Sequence, residues 1–317
     1  MFLLKKNYFL YLSNFFMILG VLLGLNSMNW LMMWVSMEIT LMFFIPSLIL
    51  NKSMLESFSS LKYFIFQCLG SIFFILGSMD FFYFNTFGLL LKLSIFPNHF
   101  WMFMVCKGLN WKNFFFIMTV QKTLPLFFII ISFNYTLMTF VFLLFLNSFL
   151  GNLGSLNQMD IRFLMIFSSM SHMTWMIMSS MLNMFYFIYY FFLYISLNFY
   201  LFKIFNKINI YYLYQVFLMK NYNLNIFILL MFIVFFSFMG FPPLMGFFMK
   251  LITLLSLFLV FINLFMFLLL MQNLIITYSY MRMVIFFFFN LTRTSKFNKF
   301  YFNKYFFFYM FFFFFFM

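Results

Sequence analysis

The amino-acid sequence predicts an all-α protein that crosses a membrane many times. Hydrophobic residues make up 67% of the 317 residues and charged residues only 7%, with a mean hydropathy of +1.09. The apolar runs continue for about 20 residues, the length that an α-helix needs to cross a bilayer. They do not alternate over about 10 residues, as the strands of an outer-membrane barrel do. The composition therefore excludes a water-soluble protein, and the run lengths favour transmembrane helices.

We predict about 11 membrane helices, since about 20 residues per helix and about 8 per connection fill this length. Their predicted bounds are 8–25, 28–50, 59–79, 81–103, 113–132, 135–156, 161–182, 184–203, 223–257, 262–287 and 302–317. The last is an almost pure phenylalanine run. Helix four contains Pro97, and helix nine contains Gly240, Pro242 and Pro243. Both are predicted to be broken inside the membrane, because proline removes a backbone hydrogen bond.

The contacts between helices are predicted to depend on glycine and serine, because the chain contains no alanine. Gly151, Gly154 and Ser155 at the end of helix six are therefore predicted to face another helix.

The basic residues predict the orientation of the helices. With alternating spans, fourteen of the 18 basic residues lie on the same side of the membrane as the N-terminus, and the connections on the opposite side hold none. Basic residues favour the inside of a membrane, so the N-terminus is predicted inside. The absence of alanine is typical of a very A+T-rich organellar or reduced genome, and inside is the matrix if the organelle is a mitochondrion. Asp160 and Arg162 are interpreted as a solvated pair at the inner edge of the membrane. The net charge of +14 does not require nucleic-acid binding as its explanation, because the basic residues are scattered along the membrane edges.

Four ionisable side chains fall deep inside the predicted spans. Glu38, the only acid predicted to be buried in a span, lies in helix two, Lys92 and Lys122 lie near the midpoints of helices four and five, and Lys250 follows the break of helix nine. Lys62, at the start of helix three, is close enough to the surface to snorkel. Ionisable groups inside a membrane are costly and mark function by default. The alternative is that these charges pair only to fix packing.

The two broken helices divide the chain into two halves of five helices, and each broken helix is the fourth of its half. With alternating spans, helices four and nine cross in opposite directions, so the halves are predicted to be inverted repeats. The predicted units are 1–132, a first repeat with a proton half-channel, 133–287, the second repeat, and 288–317, a basic connection with a C-terminal helix. Interrupted helices at matching positions indicate an ion or substrate pathway. The available carboxylate, amine and imidazole groups suit protons.

His172 lies at the middle of helix seven, within the hydroxyl-rich stretch 168–175. It is interpreted as a proton relay, the alternative being a histidine that is merely hydrogen-bonded in place. His99, beside the break of helix four, is interpreted as structural. Cys68 and Cys106 form no paired motif and are read as packing thiols. Without a metal, haem or phosphate-loop motif, no redox cofactor is predicted in this chain.

Several segments together resemble one family. The resembling stretches are Asn29–Glu38 with Ile45-Pro46, Leu61–Phe64 with Gln67, Lys92-Leu93 with Pro97, His99–Trp101, Gly108–Asn110, Gln121-Lys122 with Pro125, Gly154–Gln158 with Arg162, Ser168-Ser169 with His172-Met173 and Trp175, Gly240–Leu244 with Gly246-Phe247 and Lys250, and Tyr280–Arg282. Each is weak alone, but they keep their order from residue 29 to residue 282. The chain thus resembles the subunit 2 branch of the antiporter-like, proton-pumping membrane subunits of respiratory complex I.

The resemblance implies a subunit of NADH:ubiquinone oxidoreductase in the mitochondrial inner membrane. It implies that Glu38 and Lys92 are the coupled pair of the first half-channel, that Lys122 is the central relay and that Lys250 serves the second half. FMN, iron–sulfur clusters and ubiquinone are then expected in other subunits, and the partners are other membrane-arm and accessory subunits. A standalone cation/proton antiporter and a purely structural scaffold are the alternatives.

Overall fold

A computed structural model of the protein describes residues 2–50, 53–78, 82–132, 137–180, 183–218, 224–242, 244–259 and 263–294. The named elements in these ranges are thirteen α-helices and a 3-10 helix at Leu213–Leu218. The helices are α1 (Phe2–Leu25), α2 (Trp30–Ile49), α3 (Met54–Ser78), α4 (Phe82–Leu93), α5 (Phe100–Cys106), α6 (Trp111–Met118), α7 (Val120–Ser132), α8 (Leu137–Gly154), α9 (Ile161–Ser180), α10 (Met184–Ile208), α11 (Leu224–Met239), α12 (Met245–Leu259) and α13 (Asn263–Thr294). The predicted all-α class is confirmed, and the predicted helix 302–317 lies outside the described residues.

Both predicted interruptions are present. Predicted helix four consists of α4 and α5, and predicted helix nine consists of α11 and α12. The predicted span at 113–132 is confirmed as a helical stretch long enough to cross a bilayer, Trp111–Ser132. Within it, α6 and α7 are separated at Thr119, an interruption that the sequence analysis did not predict. The Thr119 hydroxyl donates to the Phe115 carbonyl over 2.7 Å, as does its own backbone N–H over 3.0 Å. A threonine hydroxyl that competes for a helix carbonyl bends or interrupts the helix.

The helices have an apolar exterior and an interior that holds polar side chains among the apolar ones. Within the described ranges, six helical stretches are long and apolar enough to cross a bilayer, judged by length and composition, and three more are apolar but shorter. Large side chains such as Tyr11, Phe15 and Leu22 of α1 are exposed, whereas serine, asparagine and lysine side chains are buried between helices. Lipid solvates the apolar exterior, and the interior holds the groups that need hydrogen bonds.

Glycine allows the closest contacts between helices. A Cβ atom on Gly77 of α3 would lie 2.2 Å from the backbone nitrogen of Asn85 in α4, and one on Gly151 of α8 would lie 2.8 Å from the Phe167 carbonyl in α9. Ser155 beside this contact is fully buried. The prediction that Gly151 and Gly154 face another helix is confirmed, because a Cβ atom on either would meet Phe167 of α9 and hold the backbones apart.

Candidate ion-conducting site

Glu38 and Lys92 form the first part of the site. Glu38 Oε1 of α2 lies 4.0 Å from Lys92 Nζ at the end of α4, with side chains 19% and 3% exposed. The lysine also contacts the Met37 sulfur, at 3.7 Å. The last turn of a helix favours a cation, because its free carbonyls carry partial negative charge. The pair is thus within Coulombic reach but longer than a direct hydrogen bond.

The break after Lys92 has defined hydrogen bonds. Ser94 has a left-handed conformation with φ 57°, which stops α4. The Leu91 carbonyl accepts from the Ser94 backbone N–H at 3.1 Å and from the Trp101 indole N–H at 2.9 Å. His99 precedes α5, with Nδ1 3.2 Å from the Pro97 carbonyl. Side chains therefore satisfy part of the backbone that the break exposes.

Lys122 is the second buried amine. It lies one turn into α7, after the interruption at Thr119, and its side chain is 3% exposed. Nζ donates to Ser169 Oγ of α9 over 3.1 Å, and the Ser169 hydroxyl donates to the Ile166 carbonyl over 2.7 Å. The hydrogen-bond acceptor of the Lys122 ammonium is therefore a neutral hydroxyl and not a carboxylate.

His172 lies one turn beyond Ser169 on the same face of α9. Its Nδ1 is 3.0 Å from the Tyr190 hydroxyl of α10, and its ring centroid is 5.2 Å from that of Phe238 in α11. An imidazole that contacts a hydroxyl has the groups that proton exchange needs.

Lys250 caps the second broken helix. Its Nζ donates to the carbonyls of Phe238 and Met239, at 3.1 and 3.0 Å, where α11 ends. Gly240 follows with φ 82°, a conformation that glycine adopts without strain. The cation is thus placed on the negative end of a helix. The neighbouring Pro243 of the predicted break lies outside the described residues.

We refer to Glu38, Lys92, Lys122, His172 and Lys250 together as the charged row. Asn147 of α8 joins its parts: its Oδ1 accepts from the Phe96 backbone N–H over 3.1 Å, and its Nδ2 donates to the Met170 carbonyl over 2.9 Å. Phe96 lies in the break that follows Lys92, and Met170 adjoins Ser169. Sequence reasoning missed Asn147, although an amide inside an apolar span is itself a signal.

The expectation that Glu38 is the only acid buried in a span was wrong. Predicted helix three began too late, and Glu56 lies buried in the first turn of α3, where its Oε1 accepts from the Asn110 backbone N–H over 3.2 Å. The reading of Arg162 as a solvated edge residue was also wrong. Arg162 is buried, donates to the Leu109 carbonyl over 3.1 Å and lies 4.6 Å from the centre of the Tyr211 ring.

The remaining predicted side chains lie apart from the row. Lys62 is exposed on α3, as snorkelling requires. Cys68 and Cys106 are free thiols. Within the described ranges, His, Cys, Asp and Glu side chains form no group of three or more that could hold a metal ion. The chemistry of the site is therefore that of amines, a carboxylate, an imidazole and hydroxyls.

Fold and site define a class: integral membrane proteins with interrupted helices and charged side chains buried beside the interruptions. Residues 78–276 match the family model described as NADH:quinone oxidoreductase/Mrp antiporter, TM. The chain belongs to this family. A curated relative, NADH-ubiquinone oxidoreductase chain 2 of Anopheles gambiae, is 35% identical over 257 residues, which cover 75% of this chain and 74% of the relative.

Two solved structures share the fold. Respiratory complex I from Thermus thermophilus with bound aureothin contains a chain that matches with a TM-score of 0.79 at 21% identity, over 88% of this chain and 70% of that one. The Mrp complex from a Dietzia species matches with a TM-score of 0.73 at 14% identity, over 84% of this chain and 58% of that one.

Proposed function

We propose that this chain is a proton-translocating subunit in the membrane arm of an NADH:ubiquinone oxidoreductase. The observation that carries the proposal is the charged row, in which Lys92, Lys122 and His172 are buried and Glu38 and Lys250 are partly buried. Charges inside a membrane persist where they serve a pathway. The family membership and the chain 2 relative support it. FMN, iron–sulfur clusters and ubiquinone belong to other subunits in this proposal, and this chain contributes proton transfer.

Glu38 and Lys92 form the switching pair. An opposite charge stabilises an ammonium, so a motion that lengthens the 4.0 Å separation favours release of a proton. Lys122 is the central relay, because its hydrogen bond to Ser169 leads along α9 to His172. Lys250 serves the second half at the end of α11. Each step moves one proton from one nitrogen or oxygen to the next.

The row lies in two inverted repeats, residues 1–132 and 133–287, followed by a C-terminal membrane helix within 288–317. Two similarities between the breaks support this arrangement. In each, a residue with positive φ ends the first half-helix, Ser94 in one and Gly240 in the other. A lysine lies near each break: Lys92 is buried, and Lys250 is partly buried. The full chain then has eleven membrane helices.

We place the protein in the mitochondrial inner membrane, with other membrane-arm and accessory subunits as partners and its N-terminus in the matrix. The charge distribution supports this orientation. Protease digestion of mitochondria stripped of the outer membrane tests it, because the connection 204–222 should resist cleavage until the inner membrane is opened. Cleavage in intact inner membranes would refute the orientation.

The central test replaces one amine. Lys122→Met keeps the length of the side chain and removes the protonatable group, so the complex should assemble while NADH oxidation and proton uptake per complex fall by at least about tenfold. Lys62→Met is the matched control, because Lys62 is exposed on α3, and it should leave both rates unchanged. Unchanged rates in Lys122→Met complexes would refute the proposal.

A standalone cation/proton antiporter is the second candidate, and the structural similarity to the Mrp complex favours it. Purification separates the two. A subunit of the oxidoreductase copurifies with a flavin-containing assembly that oxidises NADH, whereas an antiporter does not. A scaffold role predicts that Lys122→Met impairs assembly and that any assembled enzyme works normally.

A further inference from the structure

A second group of buried polar side chains lies between α8, α9 and α13, apart from the charged row. It consists of Ser148, Trp175, Gln272 and Asn273, none of which is more than 8% exposed. The Ser148 hydroxyl contacts Gln272 Oε1, and the Trp175 indole N–H donates to Asn273 Oδ1 over 3.2 Å. Both amide oxygens are therefore engaged across helix contacts. We refer to these four residues as the amide cluster.

The nitrogen atoms of the same amides are not satisfied by protein. Gln272 Nε2 and Asn273 Nδ2 are buried and have no hydrogen-bond partner among the described residues. The same holds for Asn152 Oδ1, one turn beyond Ser148 on α8. A buried donor without a partner costs about 1–3 kcal/mol in proteins. Hydrogen bonding between helices explains the oxygens but leaves the nitrogens unexplained.

Ordered water satisfies such groups in proteins. A buried water usually makes about three hydrogen bonds to polar atoms that lack other partners. The amide cluster offers two donors, and Asn152 offers an acceptor on the neighbouring helix. A void lined only by apolar groups would stay dry.

The amide cluster adjoins His172 of the charged row. Trp175 lies three residues after His172 in α9 and thus on the same face, one turn nearer to Ser180. Arg162 marks the opposite end of α9. In the proposed orientation, the direction from His172 to Trp175 leads to the outer surface.

We propose that the amide cluster holds ordered water molecules that extend the proton path from His172 toward the outer surface. The role in the path rests on the proposed function, whereas the presence of water does not. Along hydrogen-bonded water, each oxygen accepts a proton on one side and releases one on the other, so one proton enters and one leaves. The amides do not titrate, and they hold the water in line.

Thiol labelling tests the water. Gln272→Cys is compared with Leu144→Cys, a fully buried position one turn before Ser148 on α8, both in the assembled enzyme. A small water-soluble methanethiosulfonate reacts with the thiolate, which forms where water reaches it. We expect labelling of this chain, followed by mass spectrometry, to be at least about tenfold faster at residue 272. Equal slow rates at both positions would overturn the water site.

Enzyme assays test the path. Gln272→Met keeps the volume and removes the amide, and we expect assembled complexes to lose proton uptake and NADH oxidation, by severalfold, in parallel with Lys122→Met. If Gln272→Met prevents assembly, Ser148→Ala, which removes a single hydroxyl, should show the same loss to a smaller extent. Normal rates in every assembled variant of the amide cluster, together with slow rates in Lys122→Met, would overturn the role of the cluster in the proton path and leave the proposed function intact. Normal rates in Lys122→Met would instead refute the proposed function.

Discussion

Asn147→Leu should loosen the break after Lys92 without creating a cavity. Asn147 is fully buried in α8 and holds the Phe96 backbone N–H and the Met170 carbonyl through its two amide atoms. Leucine has a similar volume, so the packing cost is small. The change therefore removes two hydrogen bonds and little else.

The change in the free energy of opening the break follows from the two hydrogen bonds that Asn147 makes. The Met170 carbonyl lies in the middle of α9 and keeps its helix hydrogen bond, so the loss there is about 1 kcal/mol. The Phe96 N–H lies in an interrupted segment, and leaving it unpaired costs about 1–3 kcal/mol. The two losses together should lower the free energy of opening the break by about 2–4 kcal/mol. This is a factor of about 30 to 700 in the opening equilibrium.

Hydrogen exchange measures this opening directly. In the assembled complex, the peptide that contains residues 94–99 should exchange faster in Asn147→Leu by that factor. Asn113→Leu is the matched control, since Asn113 is also buried, its Nδ2 has no hydrogen-bond partner among the described residues, and it lies outside the break. Exchange of this peptide at the wild-type rate in Asn147→Leu, or equal acceleration in the control, would refute the reasoning.

Three further predictions concern packing and pH. Gly246→Ala should abolish assembly, because its Cβ would lie 1.5 Å from the Ser237 carbonyl oxygen, and native gels would show the loss. Gly154→Leu should reduce assembly less severely, because the Cβ meets the movable ring of Phe167 at 2.2 Å; normal assembly would mean that the helix contact is not needed. Burial raises the pKa of Asp160, although Arg162 opposes this, so ionisation works against folding above its unfolded pKa. Asp160→Asn should therefore raise the inactivation temperature near neutral pH and lose this effect below about pH 4, and a gain that is equal at both pH values would contradict it.

The candidate site could be predicted in part because charged residues are rare in membrane helices. An ionisable side chain inside a membrane costs free energy, and this alone singles out Glu38, Lys92, Lys122 and Lys250 in their apolar spans. The partners of Lys122, His172 and Lys250 are a serine, a tyrosine and backbone carbonyls, groups that occur throughout the chain. Nothing in the sequence distinguishes Ser169, which accepts a hydrogen bond from Lys122, from the other serines of the same helix.

The sequence by itself determined the all-α class, the two interruptions and the position of the buried charges, since apolar run length, proline and desolvation act locally along the chain. Only the tertiary structure decided that Thr119 interrupts a span, that Glu56 and Arg162 are buried and that Asn147 links the break after Lys92 to the middle of α9. These features depend on which helix faces which. In a membrane protein that choice is made by close packing and hydrogen bonds between distant segments, because hydrophobicity alone does not distinguish a neighbouring helix from lipid.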